Sequence, residues 1–204
     1  MTPSRLPVIG VLALQGDFAE HIAMLESIGV DAREVRLPSE LAAIDGLIIP
    51  GGESTTITRL LDIYALREPL RRLGAEGMPI WGTCAGAIVL ARHATDLDRP
   101  NLALMDIEVR RNAFGRQVDS FEADLVVDGM PGMPFHAVFI RAPIIERVGA
   151  GASILAKLDD GTIVAARERN LLATSFHPEL TGDDRFHRLF VAITASRQAT
   201  AAPK

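Results

Sequence analysis

The chain of 204 residues has one cysteine, one tryptophan and one tyrosine, and only 5% of it is aromatic. A single thiol excludes an internal disulfide framework and suits a reducing compartment, so a cytoplasmic protein is expected. Neither the cysteine nor the five histidines show zinc-site spacing, and no metal is expected. Positive charge is in the minority: 21 Lys and Arg stand against 26 Asp and Glu, a formal net charge of −5. That balance argues against nucleic acid or an anionic membrane as partner. Long apolar runs are lacking too. The run over residues 8–14 passes straight into Gln15-Gly16-Asp17 and reads as a first core strand, not a signal peptide or a membrane span.

What is present is an ordinary globular balance, 48% hydrophobic and 23% charged. Residues 1–197 are expected to form one domain, and 198–204 a flexible, small and polar tail. Residues 8–14, 31–37 and 44–49, and a short apolar run that begins at Met78, read as strands. Helical patterns lie between them, with Phe18, Ile22, Leu25 and Ile28 on one face and Ile57, Leu60, Leu61 and Tyr64 on another. Asp17 with Glu20 has the form of a capping box, and Ser54 or Thr55 that of an N-cap. After about residue 102 the texture changes to short strand candidates at 105–110, 123–127, 137–140, 154–158, 163–166 and 171–176, which suggests antiparallel additions. A last amphipathic helix is expected over 183–197. The fold class is therefore α/β, a mostly parallel central sheet flanked by helices with antiparallel additions.

The chain is organised around Met78-Pro79-Ile80-Trp81-Gly82-Thr83-Cys84-Ala85-Gly86-Ala87. A buried strand turns sharply into a helix, and the cysteine sits in the turn with glycine two residues to either side. Gly-x-Cys-x-Gly is the thiol counterpart of a nucleophile elbow, where glycines let the backbone turn without collision. The helix that follows turns its N-terminus toward the sulfur, favouring a thiolate and offering N–H donors to an anion. The alternative is a cysteine serving as a small buried hydrophobe. A thiol nucleophile needs a base, and the base an orienting group. His177 closes an apolar strand and is followed by Pro178-Glu179. Pro178 is expected to keep the histidine extended, and in extended backbone His177 and Glu179 project to the same side and can pair. The other histidines have no distinctive company. Gly51-Gly52-Glu53-Ser54 follows another strand, and its glycines let the main chain approach a substrate. The N–H groups of Gly52 and Ala85 are candidate oxyanion donors.

These segments together resemble the triad-type (class I) glutamine amidotransferases: Gly82-Thr83-Cys84-Ala85-Gly86, Pro50-Gly51-Gly52-Glu53-Ser54-Thr55-Thr56 and Ser175-Phe176-His177-Pro178-Glu179-Leu180. Gly10-Val11-Leu12-Ala13-Leu14-Gln15-Gly16, the arginine-containing stretch 111–122 and Phe139-Ile140-Arg141-Ala142-Pro143 narrow the resemblance to the glutaminase subunits of pyridoxal 5′-phosphate synthases, over about residues 8–191. The resemblance implies Cys84 as nucleophile, His177 as base and acid and Glu179 as its orienting partner. It also implies an L-glutamine site formed by Gly52, Glu53, Ser54, Arg111, Ile140 and Arg141. Guanidinium is the natural fork for the α-carboxylate, although Arg110, Arg111, Arg116 and Arg141 could equally be solvated surface charges. The implied reaction is hydrolysis of L-glutamine to L-glutamate and ammonia through a glutamyl thioester, without a cofactor. The ammonia would pass to a barrel-type pyridoxal 5′-phosphate synthase subunit. Three other readings stand beside it: a glutaminase serving another synthase, a non-catalytic regulator on the same fold, and a cysteine peptidase.

Overall fold

The computed structural model describes residues 6–95, 97, 99–111 and 120–201. Along the first half of the chain, β1 (Ile9–Leu12), α1 (Phe18–Ser27), β2 (Ala32–Val35), β3 (Gly46–Ile49), α2 (Ser54–Ile63), α3 (Arg67–Ala75), β4 (Ile80–Thr83) and α4 (Ala85–Leu90) alternate as expected. The second half supplies β5 (Ala91–Ala94), β6 (Met105–Arg110), β7 (Ser120–Leu125), β8 (Phe135–Ile140), β9 (Ile144–Val148), β10 (Ser153–Lys157), β11 (Ile163–Glu168), β12 (Leu171–Thr174) and α5 (Arg185–Ala201).

The main sheet runs β2-β1-β3-β4-β12-β11-β9-β6-β5, with β10 pairing β11 off this path; β7 and β8 form a separate hairpin sheet. From β2 to β12 every neighbouring pair is parallel. From β12 to β6 the pairs are antiparallel, and β5–β6 returns to parallel. The sheet splits the core in two because successive strand residues face opposite ways. Leu47, Ile49 and Ile80 face α2, α3 and α4 in a cluster with Ile57, Leu61, Leu70 and Val89. Ile48 and Trp81 face the other way, joining Leu25 of α1, Phe186 and Phe190 of α5, and Phe135 and Phe139 of β8. Strands buried on both faces explain the near-continuous apolar runs read in the sequence.

Several local expectations change. Strands β5 and β9 were not anticipated. Helix α5 continues to Ala201, four residues past the expected end at 197, and 202–204 lie outside the described residues. The capping box at Asp17 does not form: Asp17 stands at the N-cap position without a side-chain cap bond, because its carboxylate turns toward His177. The N-cap of α2 is Glu53 rather than Ser54 or Thr55, its carboxylate accepting from the N–H groups of Thr55 and Thr56. A glutamate one residue earlier reaches the same orphan donors that a serine would.

Candidate active site

Parallel pairing decides where the site lies. Strands β4 and β12 are neighbours in register, Thr83 beside Thr174, so the residues that follow them emerge at one edge. Cys84 follows β4, its N–H bonded to the Thr174 carbonyl at 2.8 Å. His177 follows β12, held by its own N–H on the Val138 carbonyl of β8 at 2.9 Å. On the other side of β4, β3 ends in the Gly51-Gly52-Glu53 loop, and beyond it β1 leads into Gln15 and Asp17. Carboxyl ends of parallel strands are the usual place for a ligand in such sheets.

The turn at Cys84 is as sharp as an elbow requires. Cys84 has φ 47° and ψ −107°, left of the region that a side chain ordinarily allows. The flanking glycines are needed for space. A Cβ on Gly82 would strike the backbone of Gly86, and one on Gly86 would land on the Ile49 carbonyl of β3. Helix α4 has only six residues, so its dipole at the sulfur is smaller than a full helix would supply. His177 supplies the local positive charge. The Cys84 thiol is buried, 6% exposed, and its Sγ lies 3.9 Å from the Ile140 carbonyl.

His177 and Glu179 do come together, with Nδ1 to Oε1 at 2.8 Å, but not through an extended backbone. Residues Pro178–Leu180 form a 3-10 turn with His177 at its N-cap position, and the turn folds the glutamate back under the ring. Asp17 adds a second carboxylate 3.3 Å from the same nitrogen. Burial works against a charged His177, but hydrogen bonds to Asp17, Cys84 and Glu179 outweigh it and push its pKa up to about 12. Burial pushes Glu179 the other way, above the usual carboxylate range, against the opposing pull of His177. The imidazolium, with three polar partners, is favoured over a neutral His177–Glu179 pair. An imidazolium beside a sulfur is an arrangement that can serve a thiol nucleophile and its base.

A cavity of about 500 Å³ opens in front of the sulfur. Its lining includes Gly52, Glu53, Ser54, Cys84, Ala85, Arg111, Ile140, Arg141 and His177, all of them sequence candidates. Glu179 lies behind His177 instead, its side chain fully buried. Two arginines reach the cavity, one after β6 and one after β8. Arg111 meets Glu53 at 3.1 Å, while Arg141 makes no ion pair among the described residues and has φ 43°. Burial would raise the Glu53 pKa, but four hydrogen bonds from Thr55 and Thr56 bring it down to about 2, so it is a fixed anion. Its N–H is held by Gln15 Oε1 at 2.8 Å. Most of the arginine-containing stretch singled out in the sequence, 112–119, lies outside the described residues.

Sequence reasoning missed three contributors. Gln15 and Asp17 lie in the cavity wall, where a glutamine-glycine-aspartate run after a first strand was the only signal. His21 was set aside, yet its Nε2 is 3.3 Å from Glu179 Oε2. His93 and His136 are on the surface and take no part. Asp17, His177 and Glu179 are the one group of three possible metal ligands among the described residues. Their donor atoms already engage one another, and a cation there would displace the His177–Glu179 bond.

The chain matches the model of the SNO glutamine amidotransferase family over residues 11–196. It is 61% identical over 194 residues to a pyridoxal 5′-phosphate synthase subunit PdxT of Dehalococcoides mccartyi, covering 94% of this chain and 99% of that one. The PdxT of Herpetosiphon aurantiacus is 60% identical over 188 residues, at 91% and 99% coverage. A crystal structure of a glutamine amidotransferase superimposes with a TM-score of 0.86 at 48% identity, over 91% of this chain and 98% of that one. PurLQS from Thermotoga maritima shares the fold alone, with a TM-score of 0.61 at 13% identity over 95% and 96% of the two chains.

Proposed function

This chain belongs to the SNO glutamine amidotransferase family, and from that premise we propose that it is the glutaminase subunit of a pyridoxal 5′-phosphate synthase. The observation that carries the reading is the meeting of Cys84, the His177–Glu179 pair and the Gly52-Glu53 loop at one sheet edge, around a cavity with two arginines. The relatives named above are called subunits of that synthase, so a partner subunit is part of the reading. The finer proposal is that the partner is a barrel-type synthase receiving ammonia, and that the protein works in the cytoplasm. No described helix is long and apolar enough to cross a membrane.

In the proposed reaction L-glutamine enters with its amide toward Cys84. Arg111 and Arg141 flank its α-carboxylate, and Gly52, Glu53, Ser54 and Ile140 wall the rest of the molecule. The sulfur attacks the amide carbon, and the developing oxyanion takes hydrogen bonds from the N–H groups of Gly52 and Ala85, each worth about 3 kcal/mol in a transition state. His177, charged at rest, gives its proton to the departing nitrogen, and ammonia leaves a γ-glutamyl thioester. Neutral His177 then takes a proton from water, hydroxide attacks the thioester, and L-glutamate leaves with the thiolate restored. Glu179 keeps Nδ1 protonated and the ring aimed at the sulfur throughout. No step calls on a metal or an organic cofactor.

A glutaminase for a different synthase shares this chemistry and differs only in its partner. Glutamate release measured alone, with the pyridoxal-phosphate-synthase barrel subunit, and with another candidate synthase separates the two. Release stimulated by the barrel subunit alone supports the reading. Stimulation by another synthase would move the protein to a different pathway, and a folded protein without activity in any mixture would return it to the regulator reading.

A further inference from the structure

Behind His177 lies a line of buried polar groups that the proposed reaction does not use. Glu179 Oε1 is taken by His177, while Oε2 is buried and has no hydrogen-bond partner of ordinary geometry. The nearest basic atom to Oε2 is Nε2 of His21, on α1, at 3.3 Å. That nitrogen is also 3.2 Å from Oγ1 of Thr83, the residue before the nucleophile. At its other end the His21 ring meets His187 of α5, Nδ1 to Nε2 at 2.9 Å. Both rings are fully buried, and Trp81 packs edge-on against each, at centroid distances of 5.6 and 5.0 Å. His187 of α5 and Thr83 of β4 thus meet on the His21 ring, which alone reaches the carboxylate oxygen.

Counting protons fixes the direction of the line. Burial, with help from the neighbouring His187 and His177, keeps His21 well below its ordinary pKa. Burial likewise brings His187 down to about 4. Each neutral ring therefore carries one N–H. If His21 donates from Nδ1, His187 must hold its proton on its own Nδ1, a buried atom with no partner. A buried donor would then stay unsatisfied, and a bare His21 nitrogen would face a carboxylate; the Thr83 hydroxyl could repair the second fault but not the first. If His187 donates from Nε2, only a lone pair is left over, and His21 turns an Nε2–H toward Glu179. The second arrangement is the less costly.

We infer that His21 is a positioning residue of the triad: as the Nε2–H tautomer, set by His187, it holds the second oxygen of Glu179 so that the first is presented to His177. The catalytic consequence rests on the glutaminase reading above, whereas the tautomers do not depend on it.

Nitrogen-15 NMR of labelled wild-type protein at neutral pH reads the tautomers directly. Nε2–H on both rings is expected, and Nδ1–H on His21 overturns the inference. Glutamine hydrolysis in the complex with the synthase gives the second reading. His21→Met is expected to lower kcat by about tenfold to a hundredfold while KM stays within about twofold. His21→Gln, whose amide nitrogen reaches roughly where Nε2 stands, is expected to recover most of that loss. A folded His21→Met with wild-type kcat, or a loss that His21→Gln does not recover, overturns the positioning role. Should His21→Met fail to fold, the wild-type tautomers and His187→Gln decide, the latter expected to preserve both the Nε2–H of His21 and most of kcat. A wild type with no glutaminase activity overturns the proposed function instead, and leaves the tautomer result to be judged separately.

Discussion

In the parallel half of the sheet, four strands end at one edge, and Gln15, Gly52, Cys84 and His177 all follow those ends. On the antiparallel side, Arg111 follows β6 of the main sheet and the Ile140-Arg141 pair ends β8 of the separate hairpin, and both approach the same cavity from the side. The two halves are built differently and are asked for different things. In the parallel half β1, β3, β4 and β12 are buried on both faces and locked in register, which suits groups that must be held to a fraction of an ångström around a reacting atom. The antiparallel half has exposed faces and an irregular register where β6 meets β9, which suits groups that recognise a substrate's far end. The reacting groups are assigned to the first, together with Glu53 and Ser54 of the substrate wall, and the arginines that meet the substrate's far end to the second.

The largest expected effect lies in the parallel half. Cys84→Ala should lower glutaminase kcat by about 10⁴-fold or more, with the unfolding midpoint unchanged, since alanine keeps the side-chain volume and backbone demand nearly the same. Arg141→Met, in the other half, should raise KM for glutamine by about tenfold to a hundredfold, the worth of a charge-assisted hydrogen bond, with kcat within a few-fold. Steady-state kinetics of the two variants side by side would break the division of labour if Arg141→Met lost kcat and kept KM. Gly86→Ala should destabilise the fold by at least about 2 kcal/mol in urea denaturation, because its Cβ meets the Ile49 carbonyl. Gly151→Ala, in the antiparallel half, meets nothing closer than the Glu168 side chain at 3.4 Å and should cost under about 0.5 kcal/mol.

A further effect concerns acid. His187, held near 4 in the folded state, takes up a proton on unfolding between pH 4 and its ordinary pKa of about 6.5. The unfolded state then binds more protons, so stability falls as the pH drops through that window, by up to about 1.4 kcal/mol per pH unit for this group. His21 acts in the same sense, and Glu179, with its raised pKa, opposes it. His177 has its pKa raised instead, so its contribution is full below about 6.5 and is lost as the pH rises toward about 12. Urea unfolding at pH 5 and pH 7 should show His187→Gln losing less stability on acidification than the wild type. Equal losses in both proteins would mean that His187 is already charged when folded.

How much could be read in advance follows from the same division. The residues around Cys84 lie in short contiguous motifs at the ends of buried apolar strands, where glycine placement and hydrophobic runs carry a strong local signal. All the candidates from Gly52 to His177 reach the cavity, and Glu179 stands directly behind it. Glu179 was paired with His177 for the wrong local reason, since a 3-10 turn and not an extended segment joins them. Strand β5, Ala91–Ala94, has no alternation to betray it, and β9 carries Glu146 and Arg147 at its outer positions. His21 and His187 are separated by 166 positions, and nothing in either neighbourhood announces that their rings meet behind the triad. Asp17 looked like a cap because an aspartate before a helix usually is one; here the ring of His177 is the stronger attraction.

The most direct test is rapid-quench mass spectrometry of the complex during glutamine turnover, with the peptide that contains Cys84 isolated at low pH. A γ-glutamyl adduct on that peptide, formed and lost at rates matching glutamate release and absent from Cys84→Ala, is the predicted result. Turnover without the adduct, sustained in Cys84→Ala, would contradict the assignment of Cys84 as nucleophile and the account built on the elbow.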